Sequence, residues 1–291
     1  MRPDLSVVIA EAAGVADPAA TLQSLVAAQD SIDMEILVTG TAAGRFPSGL
    51  GDNVRGVPTA PDALVPVQWA AGIASAAGPV VACLTTDLTV TRTWAAVLHD
   101  AVVAGAVGAG SAIALPPDAP AAACGMYLVR FAPFLPRPGR SDDNARAVPG
   151  DGAMYDRSAI MEHPDLLENG FWEVEFHRRW LDAGGRLVQS GEPLVDYRGA
   201  PPLVAGMAVR FRHGAEYGAT MIHAHGHSRL RHVLAAPALP FLLTGRVLRK
   251  ALRADISPAV VLRGLIPIVG LTIAWSAGEL IGALQGGPPS S

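Results

Sequence analysis

Two carboxylates and a histidine are spaced two residues apart at the start of a segment with helical periodicity. Glu173, Glu175 and His177 occupy these positions, and an apolar stripe over residues 176–181 ends before a pair of glycines. Carboxylates in a first helical turn are stabilised by free N–H groups and the helix dipole. Glu173 is therefore the candidate general base for an attacking hydroxyl, and Glu175 and His177 are candidates for orienting the acceptor or the base. The alternative is a solvated helix start with an exposed Glu175 and a surface His177.

A single aspartate follows a short apolar run of strand type. Residues 80–84 are apolar, and the run ends in Thr85, Thr86 and Asp87. Ligands of open α/β sheets bind beyond the carboxyl ends of the strands. Mg²⁺ is commonly held by one or two protein carboxylates, with substrate phosphates and water supplying the other ligands. Asp87 is therefore predicted to hold Mg²⁺ or Mn²⁺, and the alternative is an aspartate that stabilises the following turn.

These segments together resemble the inverting family 2 glycosyltransferases, which have the GT-A fold. The resemblance covers roughly residues 5–200 and keeps the family's order. An opening strand at residues 5–9 and a second strand at 35–38 precede a small-residue helix at 69–78, the strand before Asp87, an acceptor-side strand at 150–157, and Glu173 at the position of the base. The resemblance implies an α/β fold, namely a GT-A-like Rossmann-type α/β/α sandwich over residues 1–205. It also implies an enzyme that transfers a sugar from a nucleotide-sugar donor to an acceptor hydroxyl with inversion.

Three positions depart from the pattern of this family. Thr39 stands where an aspartate usually holds the nucleotide base, and Thr85 replaces the first aspartate of the Asp-x-Asp metal motif. The Glu-Asp pair at the base reads Trp172-Glu173. The resemblance places Thr39 and Thr85 beside Asp87 as donor-binding positions. The alternative function is a catalytically silent scaffold with the same fold at the membrane.

Charge is distributed unevenly along the chain. Residues 1–200 contain 13 Arg against 23 acidic residues, whereas residues 209–263 contain nine basic residues against two acidic ones. A basic segment beside apolar ones favours an anionic membrane surface over nucleic acid. Aromatic residues that could stack bases are not interleaved with the basic ones, so no nucleic-acid partner is predicted. The two cysteines do not imply a disulfide framework, which fits a reducing compartment.

The carboxyl-terminal residues 206–291 are predicted to form a basic and apolar helical region associated with the membrane. Glu279 is the only charged residue in the apolar run 264–284, which is long enough to cross a hydrocarbon core. The basic stretch before this run predicts the cytoplasmic face of the cell membrane. A shallow hairpin or an interfacial helix beside a glycan or lipid-linked acceptor fits these features. The alternative is an oligomer interface, with Glu279 bonded across it, in a soluble nucleotide-binding module.

Arg210 and His213 lie between these two regions in a segment that is similar to one following the catalytic domain of many bacterial members of the family. A guanidinium matches phosphate oxygens in bidentate fashion, so both residues are candidates for binding the donor diphosphate. The alternative is a basic helix on lipid headgroups. The alternating histidines of residues 223–227 predict an exposed turn rather than a zinc site.

Overall fold

The computed structural model describes residues 2–12, 15, 17–28, 32–44, 53–168, 170–223 and 228–285, without the side chains of His223 and Arg231. The histidine-rich turn predicted at residues 223–227 therefore lies almost entirely outside the described residues. The chain forms two compact units. The α/β unit comprises Met1–Pro116 and Phe134–Gly199, and the helical unit comprises Pro117–Pro133 and Ala200–Ser291.

The α/β unit is built on one sheet of nine strands with helices packed against it. The strands are β1 (Leu5–Ala10), β2 (Met34–Thr39), β3 (Val54–Val57), β4 (Val80–Thr85), β5 (Leu88–Val90), β6 (Gly108–Ala114), β7 (Ser141–Asp142), β8 (Ala153–Asp156) and β9 (Leu187–Tyr197). The helices are α1 (Ala19–Ala28), α2 (Val65–Ser75), α3 (Trp94–Val103), α5 (Arg157–Met161), α6 (Asp165–Glu168) and α7 (Glu173–Asp182). Helix α4 (Ala121–Phe131) belongs to the helical unit.

One half of the sheet is parallel, in the order β3-β2-β1-β4. Every residue of β1 and β4 is buried, as expected for parallel strands covered on both faces. The strand order reverses at β1, so the carboxyl ends of β1, β2 and β4 meet at one edge of the sheet. Such a reversal leaves a crevice in which α/β proteins bind ligands.

The other half of the sheet is mixed. Strand β8 runs antiparallel between β4 and β6, and its register pairs Cys83 with Ala153. The residues just before β8 therefore pass beside the carboxyl end of β4. Strand β9 pairs with β5, β6 and β7. The sheet thus brings the start of β8 to the same edge as the ends of the parallel strands.

The structure confirms the predicted positions of several elements. The strands predicted at residues 5–9, 35–38 and 80–84 correspond to β1, β2 and β4, and Glu173 is the first residue of α7. The helix predicted at residues 69–78 begins earlier, at Val65, and ends at Ser75. Pro66 lies in its first turn, where a missing N–H costs no hydrogen bond.

The helical unit contains α4 (Ala121–Phe131), α8 (Leu203–His223), α9 (Arg229–Ala235), α10 (Leu239–Ala251) and α11 (Pro258–Gln285). Helices α8 and α11 contact each other through glycines on both sides. A Cβ on Gly278 would overlap the carbonyl oxygen of Phe211, and one on Gly282 would overlap that of Ala215. Gly214 and Gly218 of α8 lie equally close to the α11 backbone. This four-residue spacing of small residues is typical of close helix pairs in membranes.

Helix α4 packs with these carboxyl-terminal helices. Gly125 lies directly against Pro267 of α11, where a Cβ would overlap the proline ring. The guanidinium of Arg263 donates hydrogen bonds to the carbonyl oxygens of Ala119, at 2.8 Å, and Pro117, at 2.6 Å. The predicted division into residues 1–205 and 206–291 did not anticipate that residues 117–133 would have these partners.

Helix α11 is, among the described helices, the one long and apolar enough to cross a membrane by length and composition. Within its most apolar window, 44% of the residues are buried inside the protein. Its carboxylate, Glu279, accepts hydrogen bonds from Trp275 Nε1 at 3.1 Å and His232 Nδ1 at 3.0 Å. Glu279 is therefore bonded within its own chain, which removes much of the cost of placing a carboxylate in an apolar helix.

Candidate active site

Two carboxylates meet at the hydroxyl of Thr85, the last residue of β4. Its Oγ1 lies 2.5 Å from Asp87 Oδ1 and 3.1 Å from Asp151 Oδ1. Asp151 reaches this position because the β4–β8 register, continued two residues beyond the Cys83–Ala153 pair, sets residue 151 opposite Thr85. Thr85 and Asp87 are both buried. The predicted donor-binding positions Thr85 and Asp87 are thus joined by an aspartate that sequence analysis missed.

Glu173 adjoins the same turn through Gly150. A Cβ on Gly150 would lie 2.7 Å from Glu173 Cδ, so a side chain at position 150 would displace this carboxyl group. Gly152 has a φ of +80°, and its N–H donates to the carbonyl oxygen of Cys83 at 2.7 Å. Trp94 Nε1 donates to the Gly152 carbonyl at 2.9 Å. These contacts fix the turn at residues 150–152 between the end of β4 and the start of α7.

Asp87, Thr85, Asp151 and Glu173 form the carboxylate cluster. Burial, assisted by the negative charge of Asp151 and opposed by a backbone hydrogen bond, raises the pKa of Glu173 to about 7. Glu173 as a whole residue is only partly buried, because its carboxyl group lies against Gly150 while the rest of it begins an exposed helix. A carboxylate with a pKa near neutrality is well matched to general-base catalysis at physiological pH.

Aromatic rings hold the start of α7 in place. The Tyr155 ring lies edge-on to Phe171 and to Phe176, with centroids 5.4 Å apart in both pairs. The Phe171 N–H donates to the carbonyl oxygen of Pro66 at 2.8 Å. His177 belongs to the same core, with its Nε2 3.4 Å from the Tyr155 hydroxyl. Burial lowers the pKa of His177 to about 4, so the imidazole is neutral at physiological pH.

Glu175 is held in ion pairs along α7. Its carboxylate lies 2.6 Å from Arg178 and 2.9 Å from Arg179, which also pairs with Asp165 at 2.7 Å. The hydrogen bond from Arg178 lowers the pKa of Glu175 to about 2, with Arg179 contributing. The structure thus places Glu175 in a surface ion-pair network and His177 in the core. Their role in orienting the acceptor or the base stays a prediction.

The end of β2 differs from the predicted donor site. Thr39 is fully buried, and its hydroxyl lies 3.0 Å from the Ile9 carbonyl and 3.1 Å from Gln68 Oε1. A carboxylate that sequence analysis missed lies next to it, since Glu11 directly follows β1. Glu11 Oε2 accepts hydrogen bonds from the N–H of Thr41 at 2.9 Å and from its hydroxyl at 2.5 Å. The sequence signal that could have identified Glu11 as a candidate site residue is its position directly after the first buried strand, because ligands of α/β sheets bind at this edge.

Arg210 and His213 lie on α8 in the helical unit. The Arg210 guanidinium stacks on the Trp275 ring, 4.2 Å from its centroid, and its Nε is buried without an acceptor. Burial, together with nearby arginines, lowers the pKa of Arg210 to about 10 and that of His213 to about 4. Their contact with a donor diphosphate stays a prediction.

The donor set of the carboxylate cluster suits a hard cation. Asp87 and Asp151 offer carboxylate oxygens, which Mg²⁺ and Mn²⁺ prefer. The described part of the chain contains no group of three or more His, Cys, Asp or Glu placed to hold a metal. A cation here would depend on oxygen atoms of a bound substrate, which is the usual arrangement for Mg²⁺ beside phosphates.

Comparisons with known proteins identify the class of fold. No protein-family model and no curated protein sequence matches the chain. The structure of S. aureus TarS 1–349 in complex with UDP-GlcNAc is similar, with a TM-score of 0.51 and 11% identity over 97% of this chain and 91% of that one. A second structure of S. aureus TarS 1–349 has a TM-score of 0.45 and 11% identity over 91% of this chain and 70% of that one. The mixed α/β sheet with its helices is similar to a glycosyltransferase fold, which confirms the predicted fold class.

Proposed function

We propose that the protein transfers a glycosyl group from a nucleotide-diphosphate sugar to an acceptor hydroxyl with inversion. The observation that carries this proposal is the carboxylate cluster, which joins Asp87 to Glu173 at the edge where β1, β2 and β4 end. The likeness in fold to TarS, a protein solved with UDP-GlcNAc, supports a nucleotide-sugar donor.

The chemistry follows from the charges of the cluster. Glu173 takes the proton of the acceptor hydroxyl as the acceptor oxygen bonds to the anomeric carbon from the face opposite the leaving group. The bond from that carbon to the diphosphate breaks, and the nucleoside diphosphate leaves with the bonding electrons. Asp87 and Asp151 would hold Mg²⁺ or Mn²⁺, which supplies positive charge against the departing diphosphate. A single displacement requires one base, unlike the paired carboxylates of retaining glycosidases.

The acceptor is proposed to be a glycan or a lipid-linked sugar at the cytoplasmic face of the cell membrane. Many large apolar side chains of the helical unit are exposed, among them Leu234, Phe241, Leu242, Leu252, Leu262 and Ile266. Basic residues dominate positions 209–263 of the same unit. An apolar surface with adjacent positive charge suits the interface of a membrane with anionic lipids.

A catalytically silent scaffold is the second candidate, and one observation favours it. Thr39 is fully buried and hydrogen-bonded inside the protein, so it offers no surface to a nucleotide base in this structure. A scaffold needs neither donor nor metal. The two candidates therefore differ in whether the protein binds a nucleotide sugar in a way that depends on Asp87.

A thermal-shift screen followed by a transfer assay tests the proposal. UDP-GlcNAc and other nucleotide sugars are added with Mg²⁺ or Mn²⁺, because a ligand that binds the folded state raises its melting temperature. Glu173→Gln should retain this shift and lose about 100- to 10,000-fold in nucleoside-diphosphate release with acceptor present. Asp87→Asn should lose the metal-dependent part of the shift.

Asp182→Asn provides the matched control, since Asp182 is an exposed carboxylate at the other end of α7. It should leave both binding and transfer unchanged. A wild-type protein that no nucleotide sugar stabilises with either metal would contradict the proposal and favour the scaffold.

A further inference from the structure

The helical unit contains an arginine whose burial is not balanced by an acceptor. Arg210 Nε is buried without a hydrogen-bond partner, although the residue as a whole is only partly buried. Leaving a buried charged donor unpaired costs more than leaving a neutral one. The guanidinium is planar, and its terminal nitrogens can bind two oxygens of one anion. An anion at this position would supply the missing acceptor.

The guanidinium is held in a fixed orientation. Its plane lies on Trp275, 4.2 Å from the ring centroid, and Tyr217 lies against the same indole with centroids 5.8 Å apart. Trp275 is itself fixed, because its Nε1 donates to Glu279 Oε2 at 3.1 Å. Glu279 also bonds His232 at 3.0 Å. An arginine ordered before binding loses little entropy when it captures a ligand.

A second arginine acts on Arg210 from a neighbouring helix. Arg130, in the last turn of α4, lowers the pKa of Arg210 after burial. His213 lies one helical turn after Arg210 and has its own pKa lowered to about 4 by burial and then by Arg210, Arg130 and Arg212. The imidazole of His213 is therefore neutral at physiological pH and can donate a hydrogen bond beside Arg210.

We propose that Arg210 and His213 form a binding site for a phosphate group in the helical unit. Phosphate matches the bidentate geometry of a guanidinium, and its oxygens supply the acceptor that Arg210 Nε lacks. The phosphate can belong to a lipid headgroup or to a soluble phosphate. The exposed apolar side chains of this unit favour the lipid. The proposal does not require sugar transfer, and it gives Arg210 and His213 a ligand other than the donor diphosphate predicted for them from the sequence.

Calorimetry on the purified full chain tests the site, with short-chain ligands and enough salt to suppress diffuse attraction. The probes are dioctanoyl phosphatidic acid, dioctanoylglycerol, which lacks the phosphate, and inorganic phosphate. Phosphatidic acid should bind at least tenfold more tightly than dioctanoylglycerol. Arg210→Gln should weaken phosphatidic acid at least tenfold, as expected when a charge-assisted hydrogen bond is lost.

Arg249→Gln is the matched control, because Arg249 is an exposed arginine at the end of α10 in the same unit. It should change affinity less than twofold. Equal weakening by both variants, or dioctanoylglycerol binding as tightly as phosphatidic acid, would overturn the proposal. If Arg210→Gln does not fold, Arg210→Lys keeps the charge but loses the planar fork, and unchanged affinity in that variant overturns the proposal.

The inorganic phosphate arm distinguishes the two sources. Inorganic phosphate that binds as tightly as phosphatidic acid, with the same dependence on Arg210, identifies a site for soluble phosphate. Phosphatidic acid that binds more than tenfold tighter identifies a lipid headgroup site. Phosphate binding that does not depend on Arg210 in either arm contradicts the site.

Discussion

The α/β unit and the helical unit hold themselves together in different ways. In the α/β unit, strands β1 and β4 are wholly buried, and the polar groups gather at one edge of the sheet. In the helical unit, the backbones of α8 and α11 touch through glycines, while large apolar side chains such as Phe241 and Ile266 face outward. The first pattern follows from hiding apolar surface from water, and the second is typical of helices that pack in lipid.

The two units also differ in the sign of the charge that they bury. Burial raises the pKa of Glu173 in the α/β unit and lowers the pKa values of Arg210 and His213 in the helical unit. In each case the neutral form is favoured because burial removes water from the charged one. The carboxylate cluster therefore suits a cation, and the arginine site suits an anion.

Replacing a glycine between α8 and α11 is expected to have the largest effect on the fold. Gly282→Ala places a methyl group on the carbonyl oxygen of Ala215, and we expect a loss of about 3 kcal/mol in unfolding free energy. Gly245→Ala in α10 is the control, because nothing beyond the adjoining backbone of its own helix lies within 4 Å of its Cβ position. It should stabilise the helix by about 0.5 to 1 kcal/mol. Thermal unfolding in detergent measures both, and equal melting temperatures would show that the helices are further apart.

Glu173→Gln should raise stability at alkaline pH. The pKa of Glu173 in the folded protein, about 7, lies above its ordinary value of 4.5. The folded state therefore binds a proton that the unfolded state releases, and wild-type stability falls as pH rises between these values. The variant should be more stable at pH 8 by at most about 3 kcal/mol. Denaturant unfolding at pH 4 and pH 8 measures the difference.

Glu175→Gln should change stability in the opposite direction, although Glu175 lies on the same helix. The pKa of Glu175 is lowered to about 2, so its ion pairs stabilise the fold above pH 4.5 and this stabilisation disappears as pH falls towards 2. Because the pair is partly exposed, its loss should cost less than about 1 kcal/mol at neutral pH. The same sign of effect in both variants would contradict the assigned pKa shifts.

Membrane affinity should depend on the outward apolar residues of the helical unit alone. The double variant Phe241→Ser and Ile266→Asn removes two side chains that are 79% and 81% exposed, so the fold should not lose stability. Binding to vesicles of phosphatidylcholine and phosphatidylglycerol should fall about tenfold or more. Val103→Asn changes an exposed apolar residue of the α/β unit and should bind like wild type. Flotation assays measure vesicle binding of the wild type, the double variant and Val103→Asn. Equal losses of binding in the two variants would show that membrane affinity is not confined to the helical unit.

The smallest expected effect concerns Asp151, whose charge is the secondary cause of the raised pKa of Glu173. Asp151→Asn should shift the acidic limb of the transfer rate to lower pH by up to about one unit. The pH profile of transfer at saturating metal and donor measures this shift. Asp143→Asn is the control, because Asp143 is an exposed aspartate earlier in the same part of the chain, and it should leave the acidic limb in place. An acidic limb that does not move in Asp151→Asn would show that the charge of Asp151 does not affect the pKa of Glu173.

Local patterns predicted the parts of the fold that depend on local sequence. The apolar runs of β1, β2 and β4 and the helix start at Glu173 were found because periodicity and helix-start signals act within a few residues. Asp151 was missed because its position depends on the register of β8 against β4. The stacking of Arg210 on Trp275 was not predicted, because the two residues lie on different helices that are far apart in the sequence. Residues 117–133 were included in the predicted domain 1–205, whereas α4 belongs to the helical unit, because an apolar helix has the same pattern whether it packs on a sheet or on helices.

The assignment of α4 to the helical unit has a consequence for synthesis of the protein. Helix α4 emerges from the ribosome long before α8 and α11, so the contacts of Gly125 with Pro267 and of Met126 with Gly206 form only after the rest is translated. Exposed apolar segments of this kind are prone to aggregate or to be held by chaperones. A chain shortened at residue 200 would leave α4 permanently in that state. Any fragment intended to isolate the sheet should therefore replace residues 117–133 with a polar linker.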